Sequence, residues 1–553
     1  MRPSAPLSGE ATQLTPPAAG RIGRAEAAPA IATLLMAGLI LRLVLAYVAL
    51  PGSGFETDLG SFTAWALDLA RRGPGPFYAQ AGFADYPPGY LYVLWLVGLV
   101  GQAWANLTGA DVASVVGGLI KVPPILADLG VAYLLYRIVR TWRGERSDAG
   151  WLGLGAAALY LFNPVTWYDS AIWGQVDAVG ALVLLGAVLL LIDGQSELAV
   201  AVGAVAGLVK PQYGVVLAPI LTVILLRRHL FAVGSGPRPS WAPGRLRAWL
   251  VERQGPLRLL SSALAGLLVL LVLSAPFSLD LAGLAVHLAG AAGGYPFLSV
   301  NANNPWALLS TAGNASYAAG GGWSPDVAGT NPYGATFTAA QVAILGLPPV
   351  VIGTGLLIVG FLVGALQLVL RDDRRSILLA AAYLSLAFFI LPTRAHERYL
   401  FPVFALLPLL AVRDRGFLAA TLALAAGSFI NLHGVLTTPL YATPNLEGLP
   451  FGEAFRSFGW ILVSVIIETA IFGYALWRLR PLADRLARPL RALAGLAPRA
   501  VDRDRFDDPD PLAWLDDAGV AEAPDGAAAR SAALASPAAR SAAPAALVEA
   551  LPG

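Results

Sequence analysis

The chain has 553 residues, of which 57% are hydrophobic and 13% charged, with a formal net charge of +2 and a mean hydropathy of +0.65. A soluble domain carries about 25% charged residues, so this composition excludes an ordinary water-covered surface. The near-zero net charge excludes a nucleic-acid-binding patch. The absence of cysteine excludes disulfides, thiol nucleophiles and cysteine metal sites.

Residues 1–28 are polar and rich in Pro and Ala, with no signal-peptide cleavage pattern, and read as a disordered cytoplasmic segment. Apolar runs then recur to residue 478. They predict spans at 29–50, 123–140, 151–167, 176–193, an interrupted pair within 197–226, and further spans at 259–277, 345–370, 376–391, 399–412, 416–434 and 457–478. Twelve spans place both termini on one side. Segment 89–105 is apolar but short, and it decides the topology. If it crossed, Arg137, Arg140, Arg143 and Arg146 would lie outside, against the positive-inside rule. It is therefore read as a re-entrant helix within a long first outer loop, 51–122. The remaining outer segments are 167–177, a Gly- and Asn-rich second long loop at 278–345, and the turn 392–398. Residues 481–553 read as a cytoplasmic basic segment and disordered tail, because they hold too few large apolar groups to bury a core. The predicted fold is thus all-α and polytopic, with about 12 membrane helices spanning 29–480 and both termini in the cytoplasm.

Polar residues that are costly in lipid collect at the outer end of these spans, which points to a site there. The first loop opens on an amphipathic pattern, Leu59, Phe62, Ala66 and Leu69, at helical spacing. Asp58 at its start suits an N-cap, and it equally suits a general base acting on a hydroxyl. Asp85 and Tyr86 precede Pro87 and Pro88, which stiffen entry to the re-entrant helix. Only two lysines occur. Lys121 sits seven residues before Asp128, either as a snorkelling cation or as a partner for a lipid-linked phosphate. Lys210 and Gln212 fall where Pro211 breaks the 197–226 pair, and broken helices at membrane depth border cavities. Asp169, Gln175 and Asp177 gather near Trp167, Tyr168 and Trp173, as an aromatic belt with a cap or as an array for sugar hydroxyls. Arg394, His396, Glu397 and Arg398 share one turn, where two guanidiniums and an imidazole suit a phosphate. No metal-binding spacing appears on this side.

The blocks DLGSFTAWALDLARRG, DYPPGYLYVLW, KVPPILADLGVAYLLYR, LFNPVTWYDSAIWGQVDA, LVKPQ, NANNPWALL and LPTRAHERYLFP, spread over residues 55–402, resemble bacterial relatives of GPI mannosyltransferases. They are also similar to the dolichol-pathway glucosyltransferases, so the resemblance is to the GT-C glycosyltransferases. It implies an inverting transfer of a hexose, mannose first, from a polyprenyl-phosphate donor to a lipid, glycan or protein acceptor at the outer face of the cell membrane. Asp58 matches the acidic residue that serves such enzymes as base. His396 and Glu397 resemble the His-Glu pair of the glucosyltransferases, and Arg398 stands where those often have Lys. The D-x-D form of some relatives is absent, and no cofactor is implied. Two other classes stay open. A transporter or lipid flippase would favour two similar halves, which the sequence does not show. A non-catalytic membrane subunit would carry the same spans and the same polar end without turnover.

Overall fold

The computed structural model describes residues 24–231, 255–309, 323–330, 334, 336–338, 342–439 and 445–479. Helix dominates these residues, and the β structure is one two-residue hairpin, Gly329–Thr330 paired with Thr336–Phe337. Local chemistry explains many of the helix ends. Proline sits in the first turn at Pro88, Pro164, Pro211, Pro256, Pro349 and Pro402, where its missing N–H and fixed φ are harmless. Asp111, Asp280, Asp373 and Asp414 cap helices by accepting from backbone N–H groups two or three residues on. Gly109 ends the Pro88–Thr108 helix in the left-handed region, at φ 73°.

The chain is an all-α polytopic membrane protein. Eight described helices are long and apolar enough to cross a membrane, and five shorter apolar helices accompany them. Each of the twelve predicted spans falls on a helix, and seven of them belong to the long set. The eighth long helix is Pro88–Thr108, which the sequence reading takes as the re-entrant segment 89–105. Its 21 residues reach roughly 31 Å at 1.5 Å per residue, because Pro88 starts it earlier and Gly109 stops it later than hydropathy alone suggests. The first helix begins at Arg24, inside the segment read as disordered. Residues 1–23 and the tail read at 481–553 lie outside the described residues.

Periphery and centre of the bundle differ. Pro256–Phe277 and Pro349–Leu370 expose Leu264, Leu268, Val272, Ile358 and Leu362, as lipid-facing helices do. Pro402–Ala411 is buried along its whole length. Its ten residues reach only about 15 Å, so packing rather than lipid surrounds it. Asp177–Ile192 and Arg374–Ile390 complete this centre.

Three features carry charge into the bundle. Arg42 is fully buried in the first helix; its Nε donates to Asp128 at 2.8 Å, and its other nitrogens reach Gly38 O, Leu161 O and Thr166 Oγ1. Asp128 also accepts from the Tyr160 hydroxyl at 2.7 Å. This cluster ties the first helix to Val122–Arg143 and Ala149–Leu161, so Asp128 pairs with Arg42 rather than facing Lys121. Glu468 is buried opposite Ser428, whose hydroxyl lies 3.3 Å away. The predicted break at Lys210 is present: Ser196–Val209 and Pro211–Leu225 meet at an extended Lys210, φ −159° and ψ 129°.

The two distant loop regions dock by backbone pairing. Val300 N donates to Ala395 O, Arg394 N donates to Phe297 O, and His396 bridges to Val300 and Asn301. Arg394 takes a left-handed φ of 67° to do so, a conformation a non-glycine residue adopts only where its surroundings fix it.

Candidate functional site

At the long-loop end of the bundle lies a cavity of about 520 Å³. That size suits a headgroup or small ligand. Around it meet the amphipathic helix Glu56–Arg72, the segment before Pro88, the break at Lys210, the helix Leu281–Gly293 with residues beyond it, and the turn 392–398. Val215, Leu288, Ala291, Phe388 and Pro392 make an apolar wall. Asp58, Asp85, Lys210, Gln212, Glu397 and Arg398 make a polar end.

The polar end rests on two carboxylates. Asp177, fully buried at the start of its helix, accepts from Lys210 Nζ at 2.8 and 3.0 Å, from Gln212 Nε2 at 3.2 Å and from the Tyr213 hydroxyl at 3.1 Å. Asp58 accepts from Trp173 Nε1 at 2.9 Å and Gln175 Nε2 at 2.5 Å. Arg398 links the two, 3.6 Å from Asp58 and 3.9 Å from Asp177, with its guanidinium 5.4 Å from the centre of the Trp173 ring. The Lys210 ammonium lies 6.0 Å from the Tyr86 ring and 5.7 Å from the Tyr399 ring. Such cation–aromatic contacts hold a positive charge without removing it from the cavity wall.

Several readings of single residues change. Phe55, not Asp58, occupies the N-cap; Asp58 lies in the first turn, which leaves its carboxylate free to reach Trp173 and Gln175. Arg394 lines the cavity but is clamped by Asp326, with Nε–Oδ2 at 2.8 Å and Nη2–Oδ1 at 3.0 Å, while Thr393 donates to the same carboxylate at 2.7 Å. Lys121 stands apart from the cavity and donates to Ser53 Oγ at 3.2 Å. Asp169, Gln175 and Asp177 form a layer behind the wall, and both carboxylate oxygens of Asp169 are buried without a hydrogen-bond partner. Tyr86 lines the cavity and donates to Gln175 Oε1 at 3.3 Å.

Electrostatics at the exposed end follow from this layout. Burial, reinforced by the Asp58 charge, pushes the Asp85 carboxyl up to about 6. Burial also raises Glu397, although Arg398 donates to it at 2.5 Å. Burial and the charges of Arg398 and Lys210 hold His396 well below its ordinary value, so its imidazole is neutral and cannot serve as a cation for phosphate. Among the described residues no cluster of three or more His, Asp or Glu side chains could hold a metal ion.

Sequence reasoning missed Asp326, Tyr399, Tyr295 and Trp323. Tyr295 packs against His396, and Trp323 donates from Nε1 to Asn301 at 3.0 Å. A partial signal existed for Asp326: it and Asp280 are the only acids in a loop without a single Lys or Arg.

The model of one protein family, described as GPI transamidase subunit PIG-U, matches residues 76–279. No curated protein matches the chain. The matched region takes in Asp85, Tyr86, Lys121, Asp169, Gln175, Asp177, Lys210 and Gln212, and it leaves out Asp58 and the turn 392–398. This match overturns the expectation of hexosyl transfer. The family is described as a subunit of a transamidase, so the reading of the chain as a polyprenyl-phosphate-dependent hexosyltransferase, with Asp58 as its base, is withdrawn. The resemblance to the GT-C glycosyltransferases gains no support from it.

Proposed function

We propose that the chain is a non-catalytic, multi-pass subunit of a membrane assembly related to a GPI transamidase, and that it holds a lipid-borne substrate for catalytic chains of that assembly. The observation that carries the reading is the family match over residues 76–279. The cavity supports a holding role on physical grounds. Its apolar wall and polar end fit a headgroup still attached to lipid, and such sites are mostly apolar with a few fixed polar groups. The Asp58 carboxylate is already engaged, by the Trp173 indole, the Gln175 amide and the Arg398 guanidinium. The arginine distribution supports an arrangement with the cavity on the outer side of the cell membrane and both termini in the cytoplasm.

The test is native mass spectrometry of the chain released from its own membranes in mild detergent. The expected result is a complex above the 57.6 kDa of the single chain, with other membrane chains in fixed ratio. A monomer with no associated chains would contradict the reading.

A further inference from the structure

Six of the described residues other than glycine take a left-handed φ: Ser278, Asn301, Leu345, Arg394, Asn445 and Phe451. Four of them have a local reason. The short polar side chains of Ser and Asn tolerate this conformation, and Arg394 is fixed by Asp326. Leu345 and Phe451 are large and apolar, and at a bulky residue such a φ is an outlier. Neither side chain is held by burial in the core: Leu345 is 94% exposed and Phe451 71%.

Both nevertheless sit in firm turns. Ile344 and Leu347 exchange backbone hydrogen bonds at 3.1 and 3.0 Å, so Leu345 and Gly346, at φ 53° and 76°, form the tip of a two-residue hairpin turn in which Asn-Gly is the usual pair. Next to Phe451, Pro450 O lies 2.9 Å from His433 Nε2, and the Phe451 ring stacks on Phe455 with ring centres 6.0 Å apart. Backbone strain thus presents an apolar side chain outward at two separate places.

Their position indicates what receives them. Leu345 stands four residues before the helix Pro349–Leu370, and Phe451 seven before the helix Phe458–Arg478. Each helix has a lipid-facing side, exposing Val351, Ile358 and Leu362 on the first and Trp460 and Ile466 on the second. Each starts at the cavity end of the bundle, where Gly353 packs against Pro392 and Thr393, and where His433 also meets the Tyr168 hydroxyl at 2.8 Å. The tips therefore continue two lipid-facing surfaces past the ends of their helices. Charge distinguishes them. No Lys, Arg, Asp or Glu occurs between Asp326 and Arg371, and residues 342–347 read VAILGL. Phe451 instead has the exposed Glu447 and Glu453 beside it.

We infer that these tips are two membrane anchors, with Leu345 entering the acyl chains of the leaflet at the cavity end and Phe451 lying at headgroup depth. Moving an exposed leucine from water into acyl chains is favourable, and that gain offsets the strained backbone that presents it. An aromatic ring close to carboxylates suits the interface, where apolar and charged groups are both accommodated. The inference goes beyond the subunit reading and does not depend on it.

The test uses the full chain, which has no cysteine of its own, reconstituted in phosphatidylcholine nanodiscs. Leu345→Cys, Phe451→Cys and Ser147→Cys are each labelled with an environment-sensitive NBD dye. Ser147 is also an exposed loop residue, but it lies between Arg146 and Asp148 and serves as the water reference. Three quenchers are compared: iodide in the water, a nitroxide on the lipid headgroup and a nitroxide on the acyl chain. Iodide is expected to quench the dye at either tip several-fold less than the dye at Ser147. The acyl-chain nitroxide should quench most at Leu345, and the headgroup nitroxide most at Phe451. Labelled variants are checked for the parent's melting temperature. Leu347→Cys, at a half-exposed position on the same hairpin, replaces Leu345→Cys should that variant melt lower. Iodide quenching at either tip equal to that at Ser147 would overturn the inference. So would protection from all three quenchers, which would mean that protein, such as a second copy of the chain, covers the tip. A dye at Leu345 no deeper than one at Phe451 would overturn the assigned depths.

Discussion

Arg42 with Asp128, and Asp177 with Lys210, Arg398 and Asp58, are both buried charge clusters, yet they are built to different ends. In the first, the guanidinium finds acceptors in Asp128, Gly38, Leu161 and Thr166, and the Asp128 oxygens are filled by Arg42 and Tyr160. Its polar groups have no hydrogen-bonding capacity left to offer. In the second, the cations are engaged, while Glu397 and Gln212, whose side chains border a cavity, each keep one buried oxygen without a hydrogen-bond partner. Burial of charge therefore does not distinguish a strut from a site. Unmet hydrogen-bonding capacity beside a cavity does.

The sharpest way to break this comparison is at the strut. Arg42→Met strands a fully buried Asp128 and should destabilise the fold by about 3–5 kcal/mol. Arg42→Met combined with Asp128→Leu should recover most of that loss, because removing both charges removes the stranded ion. Chemical denaturation in detergent measures both. Failure of the double variant to recover would mean that the pair does more than hold helices together.

Arg394 tests whether a cation that lines the cavity serves the site or the fold. Arg394→Ala leaves buried Asp326 without its bidentate partner and should cost about 2–3 kcal/mol, somewhat less than a fully buried pair because the arginine is partly exposed. Limited proteolysis should then cut residues 323–330, which Asp326 ties to the turn, faster than in the parent. Unchanged proteolysis and stability would mean that the pair does not hold this stretch in place.

Asp85 gives a smaller effect of opposite sign. Its carboxyl is raised to about 6, above the ordinary 3.8, so the folded state holds this proton more tightly than the unfolded chain does. Its contribution is fully present below the ordinary value and is lost as pH rises through about 6. Asp85→Asn, which stays neutral, should be more stable than the parent at pH 7 by about 1–2 kcal/mol, allowing for partial exposure, and the gap should close by about pH 4. A gap that widens on acidification would show that Asp85 is stabilised as the anion.

The gentlest perturbation addresses topology. With Pro88–Thr108 re-entrant, a cysteine in the Ala110→Cys variant should be labelled by an impermeant thiol reagent from outside. The chain has no cysteine of its own to compete. Labelling only from the cytoplasmic side would mean that this 21-residue helix crosses.

Much of this was legible in the sequence for definite reasons. Apolar runs predict helices because lipid and a packed core both demand internally satisfied backbones, and every predicted span falls on one. The break at Lys210 follows from Pro211, which cannot continue a helix with its own N–H. The clustering of polar residues near Asp58, Asp85, Lys210, Gln212 and 394–398 follows from the cost of placing them in lipid. Partner choice was not legible. Arg394 reads as a free cation until the fold brings Asp326 to it from a loop 68 residues earlier, and Asp128 reads as a neighbour of Lys121 until Arg42 claims it. Function was the least legible part. The same helices and the same polar end serve a transferase or a holding subunit, and it is the family match over residues 76–279 that favours the second.

On the proposed reading, the cavity holds a substrate and does not turn one over. The most direct test incubates the purified chain alone with polyprenyl-phosphate mannose and polyprenyl-phosphate glucose, together with lipid and glycan acceptors, and follows the products by mass. No transferred hexose is expected from either donor, with the Asp58→Asn variant indistinguishable from the parent. A hexosylated product that forms with the parent and disappears with Asp58→Asn would contradict it.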